Sequence, residues 1–419
     1  MIDLKLLREN PELIKNKLRK KHVDPVAIDN LVSLDAEKRL ISKEVEDLQA
    51  KRNKVSKEMP TLKGAAKEAA LTEMQHVKER LAELEPKLKK LDVEVNELML
   101  TIPNPPVDSV PEGAGDADNK PFRTVGKKPN FDFEPLDHIT LGKKWDMIDI
   151  DAGAATSGAR FYYLKNMAVF LEFALVQFVL NKLAKHGFTP VIPPVLVKER
   201  AMFGTGFFPA DRNEIYHVNP EDDDLYLAGT SEVPLCMLYA DKIIPAEELP
   251  KRFVGFSTCF RREAGSYGKD TAGILRVHQF DKIEMFSFCH PDKSEEEHEL
   301  IRSLEEEIMT ELGFHYQVVN ICGGDLGAPA AKKYDIEVWI PTQGKFRELT
   351  SCSNCTDFQA RRSNIRYKDA TGNHTLHTLN GTAVAMTRTL IAIMENFQKK
   401  DGSIEMPKCL RPYLAIQGK

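Results

Sequence analysis

Met74-Gln-His-Val-Lys-Glu-Arg-Leu-Ala-Glu-Leu-Glu-Pro-Lys-Leu-Lys-Lys-Leu-Asp-Val-Glu-Val-Asn-Glu-Leu98 carries its main apolar residues in strict steps of three and four: Met74, Val77, Leu81, Leu84, Leu88, Leu91, Val95 and Leu98. That spacing is the signature of a helix burying one narrow seam against another helix. The partner precedes it, since Ile28, Leu31, Leu34, Ile41, Val45, Leu48, Val55 and Met59 recur at helical spacing, interrupted by Lys38 and Arg52. Two such helices joined near residues 60–64 predict an antiparallel hairpin. Pro86 lies inside the second helix, where its missing N–H and its ring predict a kink through which the heptads continue. Upstream, Asn10 before Pro11 predicts a helix start, with Asn capping free amides and Pro at the first position, and a short helix to about Lys21.

At the expected hairpin tip, residues 51–67 hold Lys51, Arg52, Lys54, Lys57, Lys63 and Lys67 against Glu58 alone, a local net charge of +5. Two readings fit: a solvated helix tip, or a patch for nucleic-acid phosphates. No aromatics are interleaved for base stacking, so an RNA bound here would be read by backbone and shape.

Residues 102–137 contain Pro103, Pro105, Pro106, Pro111, Pro121, Pro129 and Pro135 among Gly and Asp, which excludes a periodic helix or a central strand and predicts a linker wrapping onto the next domain. Beyond it, helices expected over 161–186 and 293–312 mix with extended runs over 252–261, 275–288 and 334–340. Without regular βαβ alternation this is an α+β pattern with a largely antiparallel sheet.

The 419 residues are 42% hydrophobic and 29% charged, an ordinary globular composition with room for more than one domain. A net charge of −5 means that any nucleic-acid contact is local. The most apolar stretch, residues 168–183, is broken by Glu172, Gln177, Asn181 and Lys182 and reads as a buried helix, not a membrane span. The N-terminus lacks the apolar core of an export signal, and seven scattered cysteines fit reduced thiols, so a cytoplasmic protein is expected. There is no internal repeat, no G-x-G-x-x-G after a strand and no Walker motif.

Residues 253–276 have the shape of a hairpin with its loop over 264–273. Period two then puts Arg261 and Glu263 on one face, if the strand continues that far, and Phe280 and Glu284 on one face of the returning strand. Such a platform can sandwich a purine between Phe280 and an arginine and hold a phosphate in a guanidinium fork; a polar outer face with cross-strand ion pairs also fits. Asn380-Gly-Thr382 predicts a glycine turn leading into an apolar helix that carries Arg388, which needs an anion: a buried carboxylate or a phosphate. Glu337 and Glu348 lie on two segments that pair around Pro341-Thr-Gln-Gly344, and carboxylates near a polyphosphate serve magnesium. Cys352-Ser-Asn-Cys355 and His374-Thr-Leu-His377 have the wrong spacing and too basic an intervening stretch for zinc, which is not expected.

In one order along the chain, Gly187-Phe-Thr-Pro-Val-Ile-Pro-Pro194, Phe260-Arg-Arg-Glu263 and Arg388 resemble motifs 1, 2 and 3 of class II aminoacyl-tRNA synthetases. Thr230-Ser-Glu232, His278-Gln-Phe-Asp-Lys-Ile-Glu284, Ser353-Asn-Cys-Thr-Asp-Phe-Gln-Ala-Arg-Arg362 and the long arm resemble the seryl-tRNA synthetases within that class, essentially end to end. The resemblance implies a tRNA-binding arm over 1–101, the Pro-rich linker over 102–137, and a catalytic domain over 138–419 built on a mainly antiparallel sheet flanked by helices. It implies activation of L-serine with ATP and transfer to the 3′-terminal ribose of tRNA(Ser), leaving open the selenocysteine tRNA, in a homodimer whose motif 1 forms the interface.

Carried over residue by residue, it assigns Arg261 and Arg388 to catalysis. Serine would be bound by Thr230, Ser231, Glu232, Arg261, Glu284, Asn380 and Thr382. ATP would be bound by Arg261, Arg262, Glu263, Phe280, Glu348, Leu349, Thr350, Ser351 and Arg388, with Mg2+ on Glu348 and Ser351. The departures are Thr382-Ala383 and Met386-Thr387, where the family carries smaller residues. Two alternatives are an amino-acid ligase loading a carrier protein, which the basic-tipped arm disfavours, and a non-catalytic RNA-binding paralogue, which retention of Arg261, Glu263, Glu284 and Arg388 disfavours.

Overall fold

A computed structural model describes residues 1–264 and 272–414 of the chain. Two compact units result, residues 2–103 and residues 104 onward together with Met1.

In the first unit, short helices Leu4–Glu9 and Pro11–Arg19 precede α1 (Pro25–Glu58) and α2 (Ala65–Thr101). The tip between α1 and α2 closes through a 3-10 turn, Met59–Thr61, and Gly64 at φ +56°. There a residue without Cβ adopts the left-handed region at no steric cost. Ile41 and Val45 of α1 pack with Val77, Leu81, Leu84 and Leu91 of α2 along the expected seam, and Leu34, Leu48 and Leu88 flank them. Lys38, an interruption in the apolar pattern, is neutralised across the seam by Asp92 at 2.6 Å. The helix α2 runs unbroken through Pro86. Asn10 marks the expected boundary, but its side chain makes no capping bond; Asp3 and Asp24 cap Leu4–Glu9 and α1 instead.

The second unit is built on eight strands: β1 (Lys120–Val125), β2 (Thr189–Val191), β3 (Lys251–Phe260), β4 (Gln279–Cys289), β5 (Tyr316–Asn320), β6 (Lys332–Ile340), β7 (Lys345–Asn354) and β8 (His377–Ala385). Their order is β1-β5-β6-β7-β8-β4-β3-β2, with every pairing antiparallel except β2 with β3. The proline-rich segment thus contributes an edge strand, β1, consistent with the exclusion of Pro from central positions.

Helices α3 (Met167–Lys185), α5 (Ser294–Leu312) and α6 (Met386–Asn396) share one apolar core with Met285, Cys352 and Leu379 on a single face of the sheet. The short helix α4 (Glu232–Met237) packs with Phe286 and Phe288 through Leu235 and Cys236. Leu171, Leu175, Val179 and Leu183 of α3 are fully buried, whereas Phe170 and Phe173 are 47% and 56% exposed, so α3 is buried along one side only. Among the described residues α3 alone is long and apolar enough to cross a membrane; here it lies against the sheet.

Two expectations are corrected, and a third falls mostly outside the described residues. The returning strand begins at Gln279, not residue 275, and of the loop expected over 264–273, residues 265–271 lie outside the described residues. Asn380-Gly381-Thr382 is not a turn but the middle of central strand β8, and the helix starts only at Met386. Gly381 serves close packing: a Cβ there would stand 2.4 Å from Ile301 Cγ2 and 2.9 Å from Glu305 Oε1.

Two bulges shape the centre of the sheet. Glu284 of β4 pairs with Thr382 while Ile283 pairs with Val384, leaving Ala383 unpaired; Glu337 of β6 pairs with Glu348 while Ile336 pairs with Thr350, leaving Leu349 unpaired. An extra residue in one strand resets its alternation of faces.

Candidate active site

On the face opposite that core, β3, β4, β7 and β8 floor a crevice. At one end are two buried carboxylates. Glu232, at the first position of α4, accepts bonds from Gln359 Nε2 (2.7 Å) and Asn380 Nδ2 (2.9 Å). Glu284 accepts from Thr382 Oγ1 at 3.0 Å and from the Lys282 ammonium at 2.5 Å, and Lys282 also donates to Thr230 Oγ1 at 2.7 Å. Burial and the nearby Glu284 charge push the Glu232 carboxyl up to about 7, against the pull of Gln359, Lys282 and Arg261.

Arg261 continues the β3–β4 ladder past Phe260: its N–H donates to His278 O at 2.9 Å. Its guanidinium carbon stands 5.2 Å from the Phe280 ring centroid, and Nε donates to Gly229 O at 3.2 Å. Glu263 also lines the crevice, though not by strand alternation, because β3 ends at Phe260 and Glu263 turns through φ +51°. Its Oε2 accepts from Arg276 at 3.1 Å.

Along the β6–β7 hairpin, which turns at Pro341–Gln343 as expected, Glu348 and Ser351 are three residues apart. Plain alternation would put them on opposite faces; the bulge at Leu349 turns both into the crevice. The same bulge turns Thr350 into the core, where its hydroxyl reaches Glu305 Oε2 at 3.5 Å. Arg388, from the first turn of α6, donates to the Glu348 carbonyl at 2.9 Å and lies 3.5 Å from Glu348 Oε2. Partial desolvation works to raise the Glu348 carboxyl, but the charges of Arg388, Lys333 and Arg261 outweigh it and hold the group at about 2.

Of the residues singled out in the sequence, Thr230, Glu232, Arg261, Glu263, Phe280, Glu284, Glu348, Leu349, Ser351, Asn380, Thr382 and Arg388 converge on this crevice. Four do not line it. Besides Thr350, the buried hydroxyl of Ser231 stands 2.9 Å from where a Cβ on Gly255 would be, Arg262 is anchored through its backbone N–H to Glu214 O at 2.9 Å, and Glu337 Oε2 accepts from Gln317 Nε2 at 2.6 Å. The sequence reading missed Lys282, Arg276 and Gln359. Lys282 was within reach, because the period of two that pairs Phe280 with Glu284 passes through it.

Among the described residues no three His, Cys, Asp or Glu side chains converge to hold a metal. Cys352 and Cys355 are both buried, and Asn380 Nδ2 lies 3.6 Å from Cys355 Sγ. In the first unit, Lys51, Arg52, Lys54, Lys57, Lys63 and Lys67 are all exposed at the arm's tip, and Lys51 is paired with Glu73 at 2.5 Å.

The crevice and the arm each have counterparts among known proteins. Residues 216–397 match the model of the tRNA synthetase class II core domain (G, H, P, S and T), and residues 1–106 match the seryl-tRNA synthetase N-terminal domain. The serine–tRNA ligase of Dictyoglomus turgidum is 44% identical over 99% of this chain and 98% of its own. The chain belongs to the seryl-tRNA synthetase family. A second family member, the serine–tRNA ligase of Thermobifida fusca, is 45% identical over 99% of this chain and 97% of its own. Among solved structures, the seryl-tRNA synthetase of Pyrococcus horikoshii complexed with ATP superposes with a TM-score of 0.94 at 42% identity, covering 99% of this chain and 98% of its own. The cytoplasmic serine–tRNA ligase of Naegleria fowleri in complex with AMP gives a TM-score of 0.89 at 33% identity, covering 99% and 97%. Neither the carrier-protein ligase nor the non-catalytic RNA-binding reading gains support from these seryl-tRNA synthetase matches.

Proposed function

We propose that this chain activates L-serine with ATP to seryl-adenylate and pyrophosphate, and then transfers serine to the 3′-terminal ribose of tRNA(Ser). The observation that carries the reading is Glu284: a carboxylate 2% exposed at the end of the crevice, aligned by Thr382 and Lys282. Such a group accepts a substrate hydroxyl and disfavours alanine, which would leave it unsatisfied.

In this reading Glu232 and Thr230 receive the α-amino group of serine. Arg261 holds the serine carboxylate against the α-phosphate, Phe280 and Glu263 take adenine, and Arg388 takes the γ-phosphate. The serine carboxylate then attacks the α-phosphorus in line and pyrophosphate leaves. The chain supplies positioning and charge neutralisation, with no nucleophile of its own. Glu348 and Ser351 present two oxygens on one face, and Glu348 stays ionised, which suits a magnesium ion completed by phosphates and water. That ion neutralises phosphate charge when bound with ATP.

The exposed tip cations fit the backbone of a tRNA arm. Phe170, Phe173 and the 84%-exposed Ile192, the last within motif 1, are exposed apolar side chains suited to cover by a second copy of the chain, and a cytoplasmic homodimer is the assembly inferred. The deciding experiment is serine-dependent ATP–pyrophosphate exchange, with alanine, threonine and cysteine as controls, followed by charging of tRNA with labelled serine. Both reactions are expected; absence of serine-dependent exchange overturns the reading, and exchange without charging favours the carrier-protein ligase.

A further inference from the structure

We propose that Lys282 is a positioning residue that sets amino-acid specificity: its ammonium, held between Glu284 and Thr230, fixes Glu284 as the acceptor of the substrate hydroxyl and limits the excess negative charge of the pocket to what a single substrate ammonium matches. The inference rests on the serine-activating reading above and names a residue for its specificity.

Lys282 sits on β4 between Phe280 and Glu284, with its side chain 7% exposed and that of Glu284 2% exposed. Its ammonium lies 2.5 Å from Glu284 Oε2 and 2.7 Å from Thr230 Oγ1. A carboxylate so buried, with another carboxylate at Glu232 nearby, is costly without a counter-charge. Removing the ammonium would leave Glu284 uncompensated and no longer fixed in the direction that meets a substrate hydroxyl, weakening the contact that separates serine from alanine.

Charge counting points the same way. Once Glu232 has released its proton, above about pH 7, the carboxylates of Glu232 and Glu284 against the Lys282 ammonium leave this end of the crevice at −1, which one α-ammonium neutralises while Arg261 remains for the substrate carboxylate. Thr230 Oγ1 accepts from both Lys282 and the Glu232 N–H, the latter at 3.2 Å. Both its lone pairs are therefore engaged, so a substrate ammonium reaches that oxygen by displacing one of the two donors.

The test compares wild type, Lys282→Met and Lys282→Arg in ATP–pyrophosphate exchange with serine and with alanine. Wild-type exchange with serine is measured first, because its absence defeats the proposed function and not this inference. Lys282→Met is expected to raise the KM for serine at least tenfold, leave the KM for ATP within twofold, and lower the serine-to-alanine ratio of kcat/KM at least tenfold. Lys282→Arg is expected to recover part of that ratio. A merely structural role lowers kcat for both amino acids alike, so a ratio unchanged in Lys282→Met overturns the proposal. If that variant exchanges with neither amino acid, calorimetric titration with seryl- and alanyl-sulfamoyl adenosine reads the same ratio from binding: a tenfold fall supports the proposal, and an unchanged ratio overturns it.

Discussion

Thr382 donates its hydroxyl to Glu284 Oε2 at 3.0 Å across the bulge that leaves Ala383 unpaired. The β-hydroxyl of Thr382 therefore orients the carboxylate read as the serine selector, and the added methyl leaves that bond in place. Thr382→Val removes the donor at constant shape, and a lost bond to a charged group costs about 1.5–3 kcal/mol. The KM for serine in ATP–pyrophosphate exchange is expected to rise at least about tenfold. Thr382→Ser, which keeps the hydroxyl, stays near wild type. Equal kinetics for Val and Thr would detach Thr382 from serine selection.

Glu232 gives a pH signature. Its carboxyl is raised to about 7 from an ordinary 4.5, so between those values the folded chain holds a proton that the unfolded chain has released. Stability contributed by this group is thus present at low pH and lost as pH rises through about 7. Ammonium capture runs the other way, because it needs the ionised form. Serine kcat/KM should climb with pH up to about 7 and then level off, and Glu232→Gln should be more stable than wild type at pH 8. A flat profile from pH 6 to 8 would contradict both assignments.

Glu348, held at about 2, should not titrate in the working range, so magnesium dependence of exchange is expected to be level from pH 6 to 8. Glu348→Gln should shift magnesium half-saturation upward. Arg388→Ala should lower kcat of exchange by roughly 100- to 1000-fold, the scale of losing one charge-stabilising group. Normal exchange in both variants would remove this corner of the crevice from phosphate binding.

Gly381 touches no expected substrate, yet its Cβ position is filled by Ile301 and Glu305. Gly381→Ala should cost about 1–3 kcal/mol of stability through overpacking, read as a lower denaturant midpoint. An unchanged midpoint would mean that α5 gives way freely.

Changing Lys54, Lys57, Lys63 and Lys67 together to Gln should leave exchange intact and weaken tRNA charging. The slope of log affinity against log salt should become shallower by about one for each phosphate that the tip no longer neutralises. An identical slope would return the tip to the solvated reading.

The arm was legible because its seam depends only on local spacing, and Lys38 did not obscure it: a single cation in the seam is absorbed by Asp92. Most charged members of the crevice were legible because residue type marks them, but Lys282 and Arg276 were missed. What the sequence hid was parity. Neither Ala383 nor Leu349 advertises a bulge, since each is an ordinary apolar residue whose lack of a partner is decided by the neighbouring strand. The resemblance placed Thr350 with ATP, and the bulge turns its side chain into the core. Gly381 was taken for a turn because a glycine forced by close packing and one forced by φ look alike in a sequence.

The arm also behaves as a ruler with fixed graduations. Its seam returns to the same side of α2 only every seven residues, so matched insertions of seven in α1 and α2 would carry the basic tip about 10 Å farther out with its orientation kept. Insertions of three or four in one helix alone would swing the tip around the axis and break pairs such as Lys38 with Asp92. Reach along this arm is therefore quantised, and relatives with longer or shorter arms should differ by whole heptads.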